Sequence, residues 1–72
     1  MIKQAEAHEK IRNLFTEWRE KRHQAGKTAT KSDTFTIFYP ELQRDHAALL
    51  NFEPGPPEQY VESWLEPLMD KD

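Results

Sequence analysis

The chain has no cysteine, so disulfides, thiolate nucleophiles and cysteine-ligated zinc or iron–sulfur centres are excluded. It has only two glycines, Gly26 and Gly55, too few for a phosphate-cradling glycine loop. Serine is equally scarce. Ser32 reads as a helix cap and Ser63 falls on a polar helix face, with no base spaced to activate either. No window approaches the ~18 apolar residues of a membrane span. Lys3, Glu6, Glu9 and Lys10 rule out a signal-peptide core near the start. The expectation is a cytoplasmic, single-domain protein over residues 1–72, not an enzyme, with no cofactor and no small-molecule substrate.

What is present is charge and aromatic surface. Charged residues make up 32% of the chain, yet two Trp, two Tyr and four Phe argue against disorder. The net charge of −3 is divided unevenly. Residues 1–39 hold eight Lys/Arg and five Asp/Glu, a net of +3, and residues 40–72 hold two and eight, a net of −6. Between Arg19 and Lys31, the five cations Arg19, Lys21, Arg22, Lys27 and Lys31 are opposed only by Glu20. One reading is two faces that attract each other; the other is a pair of partner-facing surfaces.

Hydrophobic spacing predicts an all-α bundle of three main helices, at about 3–24, 33–51 (broken near Pro40) and 57–69. In the first, Ile11, Leu14, Phe15 and Trp18 form one stripe, extended by Ala7 and Ala25. Basic residues crowd its last turn and Gly26 stands where a left-handed cap belongs. Its first turns have no evident N-cap and are expected to fray. A polar, basic linker follows at 27–33, ending in Ser32 or Asp33 as N-cap.

Residues 34–38, TFTIF, have β-like composition but no second strand to pair with, so a strand across a dimer is the alternative to a helix. Phe35, Phe38, Tyr39, Leu42, His46, Leu49 and Leu50 fit helical spacing, with His46 as a boundary residue on the core. Pro40 splits this segment into a short helix and a second one beginning at the proline. The 52–57 cluster is a Pro/Gly turn. Pro57 and Glu58 open the last helix, whose apolar face holds Tyr60, Val61, Trp64, Leu65, Leu68 and Met69. Pro67 stops or kinks it near Glu66, and the tail from Asp70 to Asp72 is expected to be solvated. The aromatics exceed what three short helices can cover. Some of Trp18, Phe35, Phe38, Phe52, Tyr60 and Trp64 are expected to stay partly exposed or to meet another chain.

The three histidines lack metal-ligand spacing: Glu20 and His23 are three apart, but Arg19, Lys21, Arg22 and Lys27 surround them. Glu58, Glu62 and Glu66 recur every four residues as one helix face. These features favour association with a macromolecule. The expected contact residues are Trp18, Arg19, Arg22 and Lys27 on the basic side, and Glu58, Tyr60, Glu62 and Trp64 on the acidic side. A protein partner is favoured. The alternatives are a helix-turn-helix-like nucleic-acid binder using segment 19–31, and a homodimeric structural element.

Phe38-Tyr39, Leu42, Leu49-Leu50, Phe52, Tyr60-Val61 and Trp64-Leu65 form an FY, L, LL, F, YV, WL cadence over residues 34–65. This cadence resembles that of small accessory proteins recurring in phage and plasmid genomes. It covers under half of the chain and involves core-type positions, so it transfers no functional residues. The resemblance implies a mobile-element protein that binds host or replication machinery, without a catalytic role.

Overall fold

In the computed structural model, which describes residues 1–53 and 55–71, three helices pack around one apolar core. Pro54 in the predicted turn and Asp72 in the predicted tail lie outside the described residues. Helix α1 spans Gln4–Gln24 and forms the spine. Its 21 residues measure about 31 Å at the α-helical rise, so it sets the long axis of a molecule 37 × 21 × 18 Å across.

The stripe predicted on α1 is its buried face. Ala7, Ile11 and Phe15 are fully covered, and Leu14 and Trp18 flank them half-buried. Ala25, expected to extend the stripe, is exposed because it is already the C-cap. Gly26 follows with φ +75°. Its amide bonds to the His23 carbonyl at 3.0 Å, and the Lys27 amide to the Arg22 carbonyl at 2.8 Å. That pair of bonds is a Schellman closure, which satisfies carbonyls the helix end would otherwise leave open. The expected fraying at the start is corrected. No side chain caps the first turn, but the Ile2 amide bonds to the Asn51 carbonyl at 3.0 Å and Gln4 Nε2 donates to the Glu53 carbonyl.

Helix α2 covers residues 31–45 in three pieces. Thr30, not Ser32 or Asp33, is its N-cap, in a capping box with Asp33. The predicted linker is therefore shorter, since Lys31–Asp33 is already helical and Ala29 is buried. Thr34–Phe38 form a π-helical turn and Tyr39–Asp45 continue as α-helix. The predicted break at Pro40 is absent. Pro40 has no N–H for the Thr36 carbonyl, and its ring would crowd that carbonyl in a regular turn. The wider turn, closed by Tyr39 N–H to the Thr34 carbonyl, absorbs the misfit.

No strand forms among the described residues, so the cross-dimer strand reading of 34–38 is overturned. Buried Thr34 is satisfied, its hydroxyl donating to the Thr30 carbonyl at 2.7 Å. Helix α2 stops at Asp45, short of the predicted 51, because His46 adopts φ −135°, ψ 40°. A 3₁₀ turn, Ala47–Leu50, follows against α1.

Helix α3, Pro57–Leu65, begins at the predicted proline and buries Val61 and Leu65. It ends at Leu65, and a 3₁₀ turn, Glu66–Leu68, accommodates Pro67. The core comprises Ala7, Ile11 and Phe15 from α1, Phe38, Tyr39 and Leu42 from α2, Phe52 from the connection, and Val61 and Leu65 from α3. A radius of gyration of 11.8 Å is close to the ~11 Å of a compact chain this long. Asp70 is not solvated as predicted. It is part-buried and pairs with the α1–α2 turn, Asp70 N–H donating to the Ala29 carbonyl at 2.9 Å.

Candidate functional site

A groove lies where the C-terminal half of α1 runs past α2. Leu14, Trp18, Phe38 and Leu42 form its apolar floor. Leu14 and Trp18 come from the edge of the α1 stripe and are half-buried, whereas Phe38 and Leu42 are buried beneath them. The Trp18 ring is fixed on the inside by Phe15 and Phe38, at centroid distances of 5.6 and 5.3 Å. Glu17 and Lys21 of α1, Glu41 of α2 and His46 form the rim. Because α2 ends at Asp45, His46 is exposed at this rim and not seated on the core as predicted. The groove encloses about 200 Å³.

A second aromatic cluster joins α3 to the start of α1. Trp64 stacks on His8 with centroids 4.7 Å apart and planes 13° apart. Phe52 meets both Tyr60 and Trp64, at 5.7 and 5.4 Å. Of the aromatics expected to stay open, Trp18, Phe35, Tyr60 and Trp64 are half-buried, whereas Phe38 and Phe52 are buried. Tyr60 and Trp64 thus belong to an internal stack with one exposed edge.

The predicted basic and acidic contact residues do not meet each other; Arg19, Arg22 and Glu62 pair with other residues of the fold. Arg19 Nε lies 3.7 Å from Asp70 Oδ1, and His23 Nε2 lies 2.7 Å from Asp70 Oδ2. Arg22 sits on the Trp18 ring at 5.1 Å, donates from Nε to the Thr28 carbonyl and approaches Asp33 at 3.8 Å. Lys31 pairs with Glu62. Lys27 and Glu58 are exposed. The eight residues therefore form no single patch. Trp18 is in the groove, Arg19, Arg22 and Glu62 are in the charged seam, and Tyr60 and Trp64 are in the second cluster.

The seam also biases its carboxylates. The His23 ring first, then the Ala29 amide, hold the Asp70 carboxyl below its ordinary range, with Arg19 adding to the effect. Hydrogen bonds from Thr28 and Thr30 do the same for Asp33, assisted by Arg22. Burial, followed by the nearby Glu58, raises the Tyr39 hydroxyl above its ordinary value.

Of the groove residues, Leu14 and Leu42 were expected on apolar helix faces, Phe38 among the aromatics that stay partly exposed and Lys21 in the basic segment 19–31; Glu17 and Glu41 were not expected as contact residues. The available signal was Leu14, Trp18 and Lys21 at i, i+4 and i+7, which marks the edge of the α1 stripe. Among the described residues, no group of three His, Asp or Glu is arranged to hold a metal ion. No described helix is long and apolar enough to cross a membrane.

Fold and groove together define a small all-α domain with a side-chain-sized apolar cleft. No family model matches the chain, and no curated protein or solved structure is significantly similar to it.

Proposed function

We propose that this chain is a small non-enzymatic binding protein that acts by holding a protein partner at the α1–α2 groove. The observation that carries this reading is the groove floor, where Trp18 stays only partly buried beside Leu14 and Leu42. Tryptophan is among the residues that anchor interfaces, most of all in pockets that a partner desolvates. A cleft of about 200 Å³ is below the usual 300–1,000 Å³ of small-molecule sites, which favours an inserted side chain over a substrate. On the resemblance to phage and plasmid accessory proteins, the partner would belong to host or replication machinery.

The nucleic-acid alternative is weakened by the seam, because Arg19, Arg22 and Lys31 are engaged with Asp70, Asp33 and Glu62. The test is quantitative affinity capture from a host lysate, comparing wild type with Trp18→Ala and with the surface variant Glu41→Lys, both checked for native circular dichroism. The expected result is a stoichiometric protein retained by wild type and lost with both variants. Identical capture by all three would reject the groove as the site. A duplex DNA shift at micromolar protein and low salt would favour the nucleic-acid alternative instead.

A further inference from the structure

We infer that the occupant of the groove is one arginine or lysine side chain from a basic segment of the partner. This rests on the reading of the groove as the binding site and adds the chemistry of what enters it. Three observations converge.

The first is shape. The groove is too small for a helix face and has an apolar floor, which suits the methylene stem of a long cationic side chain. The second is the ring. Trp18 carries the Arg22 guanidinium at 5.1 Å, so this indole is matched to a cation, and an incoming one meets the ring in competition with Arg22. The third is charge. Carboxylates stand on both walls, Glu17 on α1 and Glu41 on α2. Among the described residues Glu41 makes no salt bridge. Glu17 is held at 3.3 Å by Lys21, in a pair whose side chains are 73% and 67% exposed. Pairs that exposed are weak and exchange readily. Lys21 is then the chain's own competitor for the site, and an incoming guanidinium takes its place beside Glu17. On the lining itself two carboxylates, Glu17 and Glu41, stand against one lysine, Lys21, which favours a basic occupant over an acidic one.

Opposite effects at the two rims test this. The probe is a blocked Gly-Ser peptide carrying one arginine, titrated into the full chain and followed by amide and indole NMR shifts. Its control carries citrulline, which keeps the shape and loses the charge. The expected result is shifts at Leu14, Trp18 and Leu42, with arginine bound about fivefold more tightly than citrulline. Glu41→Gln should weaken arginine binding by a similar factor, and Lys21→Gln should tighten it. Both positions are exposed rim sites, so the fold should survive either change.

Equal affinity for arginine and citrulline would overturn the inference while leaving the groove a binding site. No shift at groove residues with any peptide would overturn the inference as well. Concentration-dependent sedimentation abolished by Glu41→Lys would make the occupant a second copy of this chain, and also overturns it. Failure of the broader reading shows separately, as groove-independent capture from lysate.

Discussion

Phe15 is the residue on which the aromatic part of the core rests. It is fully buried, meets Phe38 edge-on at 5.4 Å and backs the Trp18 ring that floors the groove. Truncating such a ring costs about 3–5 kcal/mol, partly through the cavity left behind. An unstapled core of this size supplies roughly the same amount. Phe15→Ala should therefore abolish cooperative thermal unfolding and most helical circular dichroism at room temperature, whereas Trp18→Phe should keep both. A sharp melting transition in Phe15→Ala near that of wild type would contradict this account. Phe15 and Ile11 were legible because a long helix with one stripe leaves little choice of face. His46 was not. Its spacing from Leu42 fits a helix, but spacing does not reveal that the helix has already ended at Asp45. Thr30 was missed for a related reason: Ser32 and Asp33 are equally good caps by type, and the Thr30–Asp33 box decides among them only once the turn is closed.

Helix ends govern the next level. Gly26 has φ +75°, and a Cβ built there meets nothing within 4 Å. The cost of Gly26→Ala is therefore purely conformational, about 1 kcal/mol, and Gly26→Asn should cost less. Urea unfolding is expected to show the lower midpoint with an unchanged slope. A Gly26→Ala midpoint equal to wild type would mean that the Schellman closure contributes nothing measurable. Thr30→Ala should cost a comparable ~1 kcal/mol, since it removes the oxygen that accepts the Asp33 amide at 3.2 Å. Gly26 and Pro57 were readable because such residues at helix ends have few other uses. Pro40 was readable as a misfit, but its resolution was not. A proline inside a helical pattern is compatible with a break, a kink or a widened turn, and the packing of Phe38, Tyr39 and Leu42 into one core favours the turn that keeps all three buried.

At the scale of the whole molecule, the +3 and −6 halves are stitched together by a seam at one end of α1. Net charge and its division are visible in sequence, but partners 41 to 47 residues apart, such as Ala29 and His23 with Asp70, are not, because nothing local encodes them. Asp70 is the knot. It accepts from the Ala29 amide at 2.7 Å, lies against His23 and Arg19, and shares its surface with Lys31 and Lys71. A carboxyl held below its ordinary value stabilises the folded state above the unfolded pKa, near 3.9, and loses that contribution as pH falls through the lower folded value. Asp33 is shifted in the same direction, so both ends of the α1–α2 turn weaken together in acid. Hydrogen-exchange protection at the Ala29 amide is therefore expected to hold from neutrality down to about pH 4 and to fall below it. Asp70→Asn should lower that protection already at neutral pH and flatten its acid dependence. Asp33→Asn should act instead on the Thr30 amide, its own partner at 3.2 Å, and leave Ala29 protected. If the Ala29 amide kept full protection through the acid range in wild type, Asp70 would be a surface neighbour and not the tie between the end of the described chain and the first helix.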